Sequence, residues 1–226
     1  MTPGNIVGMA MLAGLEIIAI TDHQSCGNCE AAIAIAEAMD GPLVIPGMEV
    51  ESSEEIHLVC LFPDLDSARE MERDIQNAML PLKNRPEIFG EQLLFNEDDE
   101  CIGHEARLLL QSCQLSCDEI ALKTLGFGGV CIPAHLDREG NSMLTSLGVV
   151  PDDFPTAWIE ISKRSSPAAF LDEHPELKHY SYLVSSDSHH LISIEEPGWP
   201  IDVAPWDQPQ QGRLNLIAAL RPHLNG

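Results

Sequence analysis

Ile17-Ile18-Ala19-Ile20-Thr21-Asp22-His23 is an apolar, largely β-branched run that stops on a carboxylate and an imidazole. Such a run reads as a buried strand with a polar C-terminal end. The pattern recurs. Leu43-Val44-Ile45 leads through Pro46-Gly47-Met48 to Glu49, Val130-Cys131-Ile132-Pro133-Ala134 stops on His135, and Tyr182-Leu183-Val184-Ser185-Ser186 stops on Asp187-Ser188-His189. His57 interrupts Glu55-Ile56-His57-Leu58-Val59-Cys60, where a lone polar side chain is costly to bury without a partner.

Helical patterns separate these runs. Residues 2–14 read as a helix with Thr2 as N-cap, Pro3 at the first position and Gly14 at the stop. Further helices are expected over 28–39, 65–80, 105–113, 117–125 and 212–224, and strands over 15–20, 43–45, 56–62, 128–134, 157–161 and 180–185. Residues 81–100, with the acidic cluster Glu97 to Glu100, read as a surface excursion. Alternation of short strands and helices in one domain over 1–226 points to an α/β fold with a largely parallel sheet or barrel. In a parallel barrel the strand C-termini converge on one face, which would gather the polar residues.

Composition narrows the chemistry. Against 36 Asp and Glu stand 12 Lys and Arg, a formal charge of -24 that repels polyanions, so no nucleic-acid surface is expected. No apolar run approaches the roughly 20 residues of a membrane helix, so no membrane partner is expected. Met1-Thr2-Pro3-Gly4-Asn5 lacks a basic segment followed by an apolar one, which together with seven cysteines, an odd number, suggests a cytoplasmic protein with reduced thiols. Cys26-Gly27-Asn28-Cys29 has the form of a redox or metal pair, but a tight turn with Asn28 capping the next helix explains it as well.

Imidazole and carboxylate donors together suit Zn, Mn or Fe, and the absence of cysteine from the strand ends argues against a sulfur-rich structural site. Asp187 and His189, two apart, project to the same side of an extended segment. Each residue alone has a plain alternative: Asp22 can cap a turn, Asp187 can cap a helix, and His57 or His135 can be a satisfied core histidine. Their recurrence at separate strand ends carries the metal reading. Among the remaining histidines, His104, His174, His179 and His223 read as surface residues of helices or loops.

Thr21-Asp22-His23, Gly47-Met48-Glu49, Glu55-Ile56-His57, Pro133-Ala134-His135 and Ser186-Asp187-Ser188-His189 together resemble the PHP (polymerase and histidinol phosphatase) family across nearly the whole chain. The resemblance implies a distorted seven-stranded (β/α)7 TIM-like barrel with up to three divalent ions at the strand C-termini. It implies metal ligands at His23, Glu49, His57, His135, Asp187 and His189, with Glu49 bridging two ions, one of them completed by His57 and His135. Catalytic roles would fall on Asp22, His23, His135 and Asp187.

The implied activity is a metal-dependent phosphoesterase, in which metal-bound hydroxide attacks the phosphorus of a phosphorylated small molecule or nucleotide. Arg138 and then Lys163 are the candidate phosphate-binding cations. Members of that family begin with a strand bearing His-x-His, and this sequence starts beyond it. The first strand is therefore expected to be missing from this chain, either because Met1 is internal to a longer protein or because the strand was lost. A non-catalytic metal-binding or regulatory module, or a hydrolase of C–N bonds on a similar barrel, are the alternatives.

Overall fold

The computed structural model describes residues 1–221. Helix α1 (Pro3–Ala13) forms where its caps put it: the Thr2 hydroxyl accepts the Asn5 N–H, Pro3 opens the first turn, and Gly14 closes the helix at φ 74°, which glycine adopts without steric cost. The Asp99 carboxylate caps the same end from a distant loop, accepting from the Thr2 hydroxyl at 2.5 Å and the Gly4 N–H at 2.8 Å. A carboxylate there is favoured by the helix dipole.

The remaining elements are β1 (Ile17–Ile20), α2 (Cys29–Ala38), β2 (Leu43–Glu51), β3 (His57–Leu61), α3 (Leu65–Ala78), α4 (Pro86–Phe89), β4 (Leu93–Phe95), β5 (Cys101–His104), α5 (Cys117–Gly126), β6 (Val130–Pro133), α6 (Met143–Leu147), β7 (Trp158–Ser162), α7 (Pro167–Glu173), β8 (Ser181–Ser185) and α8 (Pro209–Leu220). The expected terminal helix thus starts earlier, and its last expected residues, with His223, lie outside the described ones. No helix among the described residues is long and apolar enough to cross a membrane.

Strands β1, β2, β3 and β6 form one sheet in that order, while β7 and β8 form a separate parallel pair. The expectation of a largely parallel sheet is corrected: β1–β2 is parallel, but β2–β3 and β3–β6 are antiparallel. The cause is the short connection from Glu51 to His57, which leaves room for a turn but not for the helical crossover that parallel neighbours need. The sheets are open among the described residues, and no hydrogen-bonded ladder joins β6 to β7 or β8 to β1.

Alternation decides what each strand face meets. Val44 and Met48 of β2, Leu58 and Cys60 of β3, and Cys131 of β6 pack into a core with Val7, Ala32, Met71 and Ile120 of the helices. Leu43 and Ile45, Leu61, and Val130 and Ile132 point the other way and meet Leu216, Ile217 and Leu220 of α8. This second face carries the site, because continuing the same parity along β1, β2 and β3 reaches His23, Glu49, Glu51 and His57.

Local details at 105–113 and at Asn28 differ from expectation. Residues 105–113 are not helical, because side chains take the backbone groups a helix would use: Gln92 donates to the carbonyls of Glu105 and Arg107 and accepts the Leu109 N–H, and Gln111 donates to Leu80 and Leu108. The excursion at 81–100 is largely exposed and contains α4, β4 and the turn into β5, whose end holds His104. Asn28 does not cap α2 with its side chain. It instead donates to Asp22 and the Leu93 carbonyl and accepts the Phe95 N–H, pinning the hairpin beside the end of β1.

Candidate metal centre

Glu49, 8% exposed, stands at the centre. A bridge between His23 and Glu49 extends the β1–β2 pairing past the formal end of β1, and Glu51 lies opposite His57 in the β2–β3 register. One oxygen of Glu49 lies 3.2 Å from His23 Nδ1 and 3.4 Å from His57 Nδ1, and the other lies 3.5 Å from His135 Nε2. His57 Nδ1 and His135 Nε2 are 3.2 Å apart. Carried by four strand ends, three imidazoles thus close around one carboxylate.

The electrostatics follow from that packing. Burial works against the Glu49 carboxylate, but hydrogen bonds from His135 and His57 and the nearby histidines outweigh it and hold its pKa well below the carboxylate range. Burial likewise works against charge on His57, but Glu49 and Glu51 push its pKa up to about 9. His23, where burial prevails over the pull of Glu49, is shifted down.

These donors fit a divalent ion. Nitrogen ligands at about 2.0–2.1 Å in a tetrahedral shell lie about 3.3 Å from one another, close to the observed 3.2–3.5 Å spacings. His23, Glu49 and His57 alone bring three ligand atoms within 4.8 Å. His135 is 2% exposed and its Nδ1 has no hydrogen-bond partner, a cost usually offset by a structural or chemical role.

Asp187 and His189 reach the cleft from the end of β8 but not this cluster: Asp187 is ion-paired with Arg138, and His189 Nδ1 lies 3.0 Å from the Asp187 carbonyl oxygen. In the structure the Arg138 guanidinium is the charge partner of Asp187. Lys163 donates to the Ser193 carbonyl and to Glu195 at the cleft wall. Asp22, His23, Glu49, Lys163, Asp187 and His189 share the rim of one cavity of about 1330 Å³ between β1 and β8. The Cys26 and Cys29 thiols are buried, and burial pushes Cys26 up and Cys29 up to about 12, which removes the thiolate a redox or metal role requires.

Two groups and one backbone feature were missed in the sequence. Glu51 shares the face of Glu49 two residues on and lies 3.8 Å from His57 Nε2. Glu160 interrupts the apolar strand Trp158-Ile159-Glu160-Ile161 as His57 interrupts its own, and burial pushes its pKa up to about 7. Backbone strain was not readable: Gln24, His135 and Asp187 sit at φ 55°, 31° and 40°. Left-handed backbone at a non-glycine costs about 1–3 kcal/mol and gathers at functional sites.

No family model matches the sequence, and no curated protein does. Solved structures do. Endonuclease Q, in complex with a 27-mer duplex substrate with an abasic lesion at the active site, is similar at 18% identity and TM-score 0.58, over 82% of this chain and 43% of that one. An amidohydrolase from Chromobacterium violaceum, with bound sulfate and no metal, is 18% identical at TM-score 0.55, over 84% and 82% of the two chains. A candidate metal-dependent phosphoesterase from Bifidobacterium adolescentis is 15% identical at TM-score 0.51, over 84% and 82%. What is shared is the fold. This chain spans less than half the length of the endonuclease.

The expectation that charge excludes a nucleic-acid surface is corrected by the first of these, a protein of this fold bound to duplex DNA. Net charge sums the whole surface, whereas a phosphate meets the local field, and cations bound in a cleft invert it.

Proposed function

We propose that this chain is the larger part of a PHP-type domain, a metal-dependent hydrolase that cleaves a phosphoester. The observation that carries the reading is the Glu49 carboxylate within 3.5 Å of imidazoles from three other strand ends. His23, Glu49, His57 and His135 would hold the ion, and Asp187 and His189 would face it across the cleft. A divalent ion held there lowers the pKa of water and neutralises phosphoryl charge.

The chain's own residues do the rest. Arg138, already paired with Asp187 beside the cleft, suits bidentate contact with a phosphate, and Lys163 adds a second cation at the rim. Asp22 orients the β1 end through Asn28.

The proposed barrel needs one more strand between β1 and β8. Each has a free edge, as β6 and β7 also do, but unlike β6 and β7 they are only partly buried, and the cavity between them is lined by Ile17, Ala19, Leu183 and Val184. An extended segment bearing His-x-His would occupy that space and add ligands at its C-terminal end.

Nucleic-acid phosphodiesters are the substrate class to test first, because the solved endonuclease of this fold is bound to one. The test is turnover of lesion-bearing oligonucleotides and of nitrophenyl phosphates by the protein extended upstream, with Mn2+ or Zn2+. Metal-dependent cleavage of a P–O bond is expected. A folded, metal-loaded protein that turns over no phosphoester contradicts the enzyme and leaves the non-catalytic module.

A further inference from the structure

We propose that Glu160 is a positioning residue of the metal centre, whose two carboxylate oxygens fix the strand ends that present His135 and Asp187. The inference depends on the metal site proposed above and extends it to a residue outside the ligand set.

Strand β6 belongs to one sheet and β7 to the other, and no ladder connects them. Glu160 supplies the join. One carboxylate oxygen accepts the His135 N–H at 2.9 Å, its backbone carbonyl accepts the Leu136 N–H at 2.8 Å, and the other carboxylate oxygen accepts the Ser185 hydroxyl from β8. Asp137 answers from the opposite side, accepting the Ser162 N–H at 2.7 Å, the Ser162 hydroxyl at 2.6 Å and the Ser165 hydroxyl. Each link ties the end of β6 to β7 or its following turn, or β7 to the end of β8.

Glu160 is 5% exposed, in a strand otherwise apolar up to Ser162. An apolar residue would pack there without the cost of burying a carboxylate, so the carboxylate's value lies in what it orients. What it orients is strained: His135 at φ 31° and Asp187 at φ 40° need restraint from their surroundings to keep those conformations. Glu160 restrains the first directly through its backbone N–H, and the second through Ser185, two residues before Asp187. It bonds the backbone rather than an imidazole, so its effect on a bound ion is indirect.

Calorimetric titration of Mn2+ into wild type, Glu160→Ala, Glu160→Gln and Ser185→Ala, with a thermal melt of each, tests this. The glutamine retains an acceptor for the His135 N–H, and its amide can donate to the Ser185 oxygen. Glu160→Ala is expected to bind the ion about 10–100-fold more weakly, with Glu160→Gln near wild type and Ser185→Ala between them. A carboxylate needed only for stability would lower the melting temperature of Glu160→Ala and leave its Kd unchanged, which overturns the proposal. Should Glu160→Ala not fold, Ser185→Ala decides, and its unchanged Kd overturns the proposal. A wild type that takes up no Mn2+ overturns the metal site and this inference together, whereas equal binding by wild type and variants overturns the inference alone.

Discussion

Saturating the metal-free protein with Zn2+ or Mn2+ raises its melting temperature by about 5–10 °C. An ion at about one hundred times its Kd stabilises the folded state by about 2.7 kcal/mol, and in a domain of this size each kcal/mol shifts Tm by about 2–4 °C. Uptake also releases a proton. With its pKa raised to about 9, His57 is protonated at neutral pH and must lose that proton to bind an ion. Titrations in buffers of different ionisation enthalpy should give about one proton per ion at pH 7.5, falling toward none above pH 9. Release of no proton at pH 7.5 contradicts the His57 assignment.

The sign for the metal-free protein follows from the same shift. A histidine whose pKa is raised by folding contributes stability in full below its ordinary value of 6.5, and that contribution is lost as pH climbs through about 9. Glu49, shifted down, contributes in full above its ordinary 4.5 and loses that contribution progressively as pH falls below it. His23 acts in the opposite sense to His57, since its lowered pKa makes acid unfavourable below 6.5. Melts across pH should therefore decline on the alkaline side from about pH 6.5 to 9 without metal, and the ion should flatten that decline.

Glu49→Gln is expected to have the largest effect of any single substitution. It removes the one carboxylate that His23, His57 and His135 all approach, leaving His57 with Glu51 as its remaining carboxylate partner. Removing one member of a buried ionic cluster costs about 3 kcal/mol, or roughly 6–12 °C in Tm for this size. Ion affinity should fall by at least about 100-fold, more than for groups that only orient ligands. Calorimetry with Mn2+ reads the second effect apart from the first, and unchanged affinity in a folded variant contradicts the role given to Glu49.

Strand positions and the polar strand ends are legible in the sequence because both follow from alternation: Ile17 and Ala19 lead to His23, and Leu43 and Ile45 lead to Glu49, on the face that the structure turns toward the cleft. The caps of α1 are legible because Thr2, Pro3 and Gly14 act within a few residues of the helix. Strand direction is not local. The antiparallel β2–β3 pairing turns on the length of the connection from Glu51 to His57, and the β3–β6 pairing on partners distant in sequence, such as Cys60 and Cys131. Glu160 carries the same signal as His57, a polar side chain inside an apolar run, and was equally legible.

Arg138 shows a further limit of one-dimensional reading: it lies three residues from His135, yet its partner is Asp187, 49 residues on. Chain charge failed for a related reason. A total of -24 says nothing of where two cations stand relative to one cleft.

The most direct measurement is anomalous scattering from crystals grown with Mn2+ or Zn2+, collected at the metal's absorption edge. A peak within about 2.0–2.2 Å of Glu49, His57 and His135 donor atoms is the predicted result. Well-ordered crystals with these three side chains in place and no anomalous peak among them would contradict the account.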